Sequence, residues 1–413
     1  MQEALEKIKI KSLPYLRLFL VAFLFVNLIG IINFPFYKEK IDNGVLYLLV
    51  FLGLIGFTFG TLLTRIIKIK FSPSKGTFKP HILKFIFWVS NIFSLALILV
   101  THAMNGGIII LMGAVRFKTF SYTNIFIYIG IITTLLFFSS ELLANKKVKG
   151  WHIIFIAIQS LSVLSLGYRS PLIILAGSCA VIFIIVRNDF QNKYKNIFTF
   201  RNIIGFIGIL VLMSSISSYR VSKEYNKSGV SKHYDTRKFF QNMNLDYLDK
   251  HKYLLPVMPT LAVFRYDQEV LKKIVNKTKN NHYYGYLAIS NFLTVLPGEQ
   301  LGVRNIIGDI VDARKLPDGR PWSITPTLQG ALFVDWGYLG VLFGFFFLGA
   351  FIEYLKKLMR SKMNPFSIAL YVLVTINSLM IIHTGYFDVV FFILMGVIFF
   401  LNFIIMRIKY IIY

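Results

Sequence analysis

With 413 residues, 56% of them hydrophobic and only 15% charged, the chain departs from soluble globular domains, in which about a quarter of residues are charged. Its mean hydropathy of +0.63 excludes an ordinary water-soluble enzyme and points to the membrane. The formal net charge of +26 does not imply a nucleic-acid partner, because the 45 Lys/Arg residues are dispersed along connections and no recognition motif accompanies them.

A helix needs roughly 20 apolar residues to cross a hydrocarbon core ~30 Å thick, where every backbone amide must be satisfied within the segment. Ten runs suit that task in chain order: Tyr15–Ile32, Val45–Leu63, Ile82–Thr101, Ile125–Leu143, Trp151–Leu166, Pro171–Val186, Ile203–Ser217, Leu328–Tyr354, Phe366–Ile382 and Tyr386–Met406. The fifth to seventh are short. No small-residue cleavage site follows Tyr15–Ile32, so it reads as a retained anchor. Gly106–Val115 is too short to span and either dips into the bilayer or packs on it.

Basic residues in the short connections set the orientation. One side carries Lys7, Lys9 and Lys11, then clusters at 65–79, 146–149, 187–201 and 356–362; the other carries Lys38, Lys40, Arg116, Lys118 and Arg169 alone. That alternation predicts cytoplasmic termini, helices 1–7 within residues 1–216, an extracytoplasmic loop over 217–325, and helices 8–10 within 326–413.

The loop holds 17 Lys/Arg against 10 Asp/Glu, a net +7 on the side where positive charge is not expected. A long loop crosses whatever its charge, so topology permits the excess without explaining it. A phosphate or pyrophosphate ligand would. Within the loop, Thr260 is placed to cap an amphipathic helix running to Val275. Tyr283–Leu296 suits an interfacial helix, and Asp312–Pro321 is rich in turn residues.

The candidate chemistry lies in three places. Arg169, in Gly167-Tyr168-Arg169-Ser170-Pro171, is pinned at headgroup level, where its fork either binds phosphate oxygens or merely snorkels. Arg220 and Arg265 share its predicted side, with Arg304 and Arg320 as further candidates for the same anion. The third place is the stretch from Ser323 to Gly340. Thr325 and Pro326 suit a helix start, Gly330, Gly337 and Gly340 suit close helix approach, and Asp335 falls two turns inside. An intramembrane carboxylate is costly, and a structural Asp–Arg pair is the favoured reading over a catalytic role. Glu299, after Pro297-Gly298, is the other candidate base or orienter. Cys179 is the single cysteine, and the histidines show no ligand spacing, so neither a disulfide nor a metal centre is expected.

Two of these segments, GYRSPLIILAG and ITPTLQGALFVDWGYLGVLFGFFFLG, resemble motifs of the oligosaccharide repeat-unit polymerases, the Wzy-type O-antigen polymerases. In the first, Arg169 is similar to the arginine that opens a span in that family. The second is similar to the signature after its large outer loop, Thr-Pro, then Gly, then an aromatic-Gly-x-x-Gly helix. Related O-antigen ligases carry a histidine shortly before the Gly-x-x-Gly, where this chain has Thr325-Pro326-Thr327.

The resemblance implies an all-α, polytopic, GT-C-like fold of about ten membrane helices, with the active site outside the inner membrane. It implies a metal-independent glycosyltransferase without cofactor, whose donor and acceptor are polyprenyl-pyrophosphate-linked oligosaccharides and whose product is a surface polysaccharide such as O-antigen or capsule. A chain-length regulator is a candidate partner beside the bilayer itself. The acceptor hydroxyl would attack the anomeric carbon of the growing glycan and release polyprenyl pyrophosphate. Fixed guanidinium groups would stabilise that leaving group, and a carboxylate or histidine would take the proton. The alternatives are a ligase-like transferase and a transporter or flippase of the same lipids. The latter would line its spans with polar residues, whereas deep charges here are few, Asp335 the main one with Glu141, Glu353 and Asp388 close to helix ends.

Overall fold

The structure, a computed structural model, describes residues 15–41, 44–69, 78–112, 123–145, 148–166, 170–186, 243–254, 257–279, 281–294, 301–313, 315 and 319–407. Among these residues it is helical, with two isolated bridges, Tyr37 to Met243 and Lys315 to Pro321, and no strand. Six apolar helices come first: α1 (Tyr15–Ile31), α2 (Gly44–Ile66), α3 (Pro80–Met104), α4 (Thr123–Asn145), α5 (Gly150–Ser165) and α6 (Ser170–Val186). Three more polar helices follow, α7 (Met258–Thr278), α8 (Tyr286–Leu293) and α9 (Val303–Ile310). The chain then forms α10 (Thr327–Lys362), α11 (Pro365–Thr384) and α12 (Val389–Arg407).

Apolar helices therefore lie at nine of the expected spans; the seventh, Ile203–Ser217, falls outside the described residues. Five, α2, α3, α4, α10 and α11, are long and apolar enough to cross a membrane. Large apolar side chains such as Phe51, Phe85, Ile92, Leu99 and Phe347 stand exposed on them. That suits helices whose solvent is lipid, and the protein is an integral membrane protein.

Packing follows from small residues and aromatics. On α2, a Cβ at Gly56 or Gly60 would overlap the Leu342 and Phe346 carbonyls of α10, so these glycines let the two backbones meet. Phe19 stacks on Phe57 at 3.8 Å between ring centres, and Phe345 meets Phe23 edge-on at 5.0 Å. Asn91 of α3 accepts a hydrogen bond from Gln159 of α5 (2.6 Å) and one from Thr134 of α4 (3.3 Å), fastening three spans through one buried amide. Cys179 is buried in α6, whose residues Ile173–Gly177 form a π turn inside the GYRSPLIILAG motif.

α10 differs from the expected single span. Its backbone breaks at Trp336 and Gly337, where Gly337 adopts φ 61°, ψ −147°, a conformation essentially confined to glycine. The residues after the break, Tyr338–Lys362, make ~37 Å of helix, enough to cross the hydrocarbon core. The piece before it, Thr327–Asp335, is one third as long and folds back, so that a Cβ at Gly340 or Gly344 would overlap the Leu332 carbonyl or side chain. Asp335 thus ends a short helical piece instead of lying two turns into a span. The apolar pattern runs unbroken across the break, which is why hydropathy alone merges the pieces.

Helix starts also shift. The Oγ1 of Thr327 accepts from the Gly330 amide (3.2 Å), so the cap of α10 is Thr327 and not Thr325. α7 begins at Met258 with Pro259 in its first turn, ahead of the expected Thr260, and runs three residues past Val275. α8 is shorter than Tyr283–Leu296 because the Tyr283 and Tyr284 amides bond the Val334 and Asp335 carbonyls at the break.

Candidate functional site

α7, α8 and α9 lie over the end of the bundle where α1 and α11 finish and α10 begins. One buried amide helps to fix them there. Asn27 of α1 accepts from Gln268 of α7 (3.1 Å) and from Gln329 of α10 (2.8 Å), and all three are at most 1% exposed. Close by, a Cβ at Gly30 would overlap the Phe264 carbonyl, so α1 and α7 touch backbone to backbone.

Arg265 is fully buried in this contact. Its guanidinium donates to the carbonyls of Gly30 (2.9 Å) and Glu39 and to Asn33 Oδ1 (3.1 Å). It also lies 4.5 Å from the Tyr37 ring centre and 3.8 Å from Glu269. Burial pulls its pKa below the usual arginine range, and Glu269 leads the groups that pull it back. Arginine stays charged regardless, and here its fork ties the 30–39 connection to α7.

Asp335 is buried, and its partners are not the arginine expected from the sequence. Its carboxylate accepts from the amides of Leu287 (3.0 Å) and Ala288 (3.2 Å) and from the Tyr386 hydroxyl (2.6 Å). Leu287 and Ala288 are in the first turn of α8, whose preceding residue is Gly285 with φ 91° and no side chain to cap. Asp335 supplies the missing cap from another helix, where two orphan amides and the positive end of α8 satisfy a carboxylate. The need for a partner was legible in the sequence; the identity of the partner was not.

A second buried carboxylate was not singled out by the sequence. Asp267 of α7 has no exposed surface, and its Oδ2 lies 2.6 Å from Nδ1 of His383 at the end of α11. Burial pushes the Asp267 carboxyl up; the charge and hydrogen bond of His383, and then the Thr325 hydroxyl, pull it down. Thr325 thus serves the carboxylate and leaves the helix cap to Thr327. Asp267 reads as a solvated charge between Tyr266 and Gln268, and its partner is 116 residues away, so no spacing signal could find the pair.

Beside these contacts lies a cavity of about 60 Å³, walled by Ser170 of α6, Arg304 of α9, Asn377 and Thr384 of α11, and Tyr386 and Asp388 after it. That is room for about four water molecules, the size of a small polar group. Arg304, exposed on α9, is the sequence candidate that reaches this cavity. Arg320 is exposed beside Gly319 and does not line it. Arg169, Arg220 and Glu299 lie outside the described residues, although Ser170, the next residue after Arg169 in sequence, is in the cavity wall. Among the described residues no three of His, Cys, Asp and Glu gather as metal ligands would.

Residues 252–395 match the family model described as "Putative O-antigen polymerase". Over that stretch the chain is similar to the O-antigen polymerase family. The match covers about a third of the chain, from α7 into α12, and includes Arg265, Asp267, Arg304, Asp335, His383 and Tyr386. It takes in the second of the two resembling segments and leaves out the first, around Arg169. No curated protein matches the chain, and no solved structure does. The family description joins the membrane helices to polysaccharide synthesis.

Proposed function

We propose that this O-antigen polymerase-type protein is a membrane glycosyltransferase that joins polyprenyl-pyrophosphate-linked oligosaccharide repeat units on the outer face of the cytoplasmic membrane. The observation that carries this reading is the cavity holding Arg304, Ser170 and Asp388 at one end of the bundle, within and beside the region that matches the family. The reaction needs a cationic pocket at a membrane surface, because its leaving group is an anion on a lipid. The charged groups described in the cavity wall are Arg304 and Asp388. Arg304 therefore supplies the guanidinium while Arg169 and Arg220, as the other pyrophosphate ligands, supply the further positive charge, with Arg320 as a loop contact. Arg265 ties the loop that carries Arg220, Arg304 and Arg320 to the 30–39 connection. Asp335 serves as orienter by fixing α8, and Glu299 is a second polar group for the acceptor.

The charge alternation supports an extracytoplasmic position for the site and cytoplasmic termini. Arg304→Ala tests the reading directly. Membranes bearing it should contain normal amounts of protein while forming shorter polymer or none. Arg304→Lys should rescue poorly, since a point charge does not reproduce a guanidinium fork. Unchanged chain length in Arg304→Ala would remove the cavity from the reaction.

A further inference from the structure

The proposed reaction needs a group to take the acceptor's proton, and the two carboxylates named from sequence supply none in the described structure. Asp335 already accepts three hydrogen bonds, and Glu299 is outside the described residues. The histidines of the same region differ among themselves. His251 Nδ1 contacts the Tyr247 carbonyl (2.9 Å), and His282 lies under Gly337, edge-on to Phe333. His383 is the one of these three whose ring nitrogen meets a carboxylate.

Resting on the function proposed above, we infer that His383 is the general base of the transfer and that Asp267 is its positioning residue. Asp267 keeps none of its side-chain surface exposed while His383 keeps 36%, so the carboxylate is sealed behind the ring and the ring reaches the surface. An imidazole whose Nδ1–H donates to a carboxylate carries its acceptor lone pair on Nε2. His383 itself is not in the cavity wall, but Thr384, the next residue on α11, walls the cavity with Arg304. The base thus lies one residue along the helix from the cavity assigned to the leaving pyrophosphate. Asp267 comes from α7 and His383 from the end of α11, so the base is assembled only when the loop is docked.

The step balances. The acceptor hydroxyl oxygen forms a bond to the anomeric carbon as the bond from that carbon to the pyrophosphate oxygen breaks. The bonding pair leaves on polyprenyl pyrophosphate, beside Arg304. The hydroxyl proton passes to Nε2, and the imidazolium so formed is held by Asp267 until it returns the proton to water.

The test uses the full-length protein in liposomes with purified polyprenyl-pyrophosphate-linked repeat units, reading polyprenyl pyrophosphate released per folded molecule. Loss of a general base lowers the rate about 10²–10⁴-fold, so His383→Ala and His383→Gln should lower kcat in that range with acceptor KM within a few-fold. Added imidazole should restore part of the His383→Ala rate and none of the His383→Gln rate, because glutamine still fills the site. Asp267→Asn should lower kcat with little change in KM, and imidazole should not restore it. A purely structural pair would instead lose activity in proportion to folded protein. His383→Gln or His383→Ala working at the wild-type rate per folded molecule would overturn the assignment while leaving the polymerase reading intact. Wild-type protein that releases no polyprenyl pyrophosphate would overturn both.

Discussion

Replacing Asp335 with alanine removes the cap of α8 and one partner of Tyr386 in a single change. The carboxylate accepts hydrogen bonds of 3.0, 3.2 and 2.6 Å from Leu287, Ala288 and Tyr386. A helix cap contributes about 1 kcal/mol and each hydrogen bond to a charged acceptor about 1.5–3 kcal/mol. These contributions overlap, and the Tyr386 hydroxyl can turn to the Ala331 carbonyl, already at 3.4 Å. The net loss for Asp335→Ala is therefore about 3–4 kcal/mol. Asparagine keeps the shape and one acceptor oxygen and should cost about half as much. For a chain of this length the unfolding entropy converts each kcal/mol into about 1 °C of Tm. The expected order in detergent is wild type, then Asp335→Asn, then Asp335→Ala, the last about 3–4 °C below wild type with reduced membrane abundance. Tyr386→Phe should lower Tm as well, and the Asp335 and Tyr386 changes should be less than additive when combined. Asp335→Asn with wild-type Tm but no polymer would refute this reasoning and make the carboxylate a proton acceptor.

Gly337→Ala should be destabilising by about 1–3 kcal/mol, read as lower abundance and Tm, because any side chain at that backbone conformation is strained. Its Cβ would also lie 2.8 Å from the His282 ring. Arg265→Gln strands the buried Gly30 carbonyl and removes a partner from the Glu39 carbonyl. It should cost about 3–5 kcal/mol and lower abundance, with any loss of polymer following the loss of protein. For topology, Ser231→Cys in a Cys179→Ala background should react with an impermeant thiol reagent on intact cells; labelling only after the membrane is opened would reverse the orientation.

The sequence made the membrane class and most helix positions legible because hydropathy reports burial in lipid residue by residue. It misread α10 because a break needs only one glycine and leaves the apolar pattern untouched. Thr325 looked like a cap because Thr before an apolar run usually is one; Asp267 engages its hydroxyl instead. For the site, sequence found groups whose type is conspicuous, such as Arg304 in a basic loop and Asp335 in an apolar run. Asp267 and His383 were passed over because each looks ordinary in its own segment. Their meaning comes from a contact across 116 residues, which local pattern does not encode. Arg265 was conspicuous for its charge, yet its burial against the 30–39 connection, invisible in sequence, gives it a structural task.

The central claim is chain growth with release of a lipid pyrophosphate, and it is tested most directly by reconstitution. Purified protein in liposomes, given a polyprenyl-pyrophosphate-linked repeat unit, should produce a ladder of polymers. Each added unit should release one polyprenyl pyrophosphate, and Arg304→Ala should suppress ladder and release together. A folded wild-type protein that yields neither ladder nor polyprenyl pyrophosphate, or that moves the intact lipid-linked unit across the bilayer, would contradict the account.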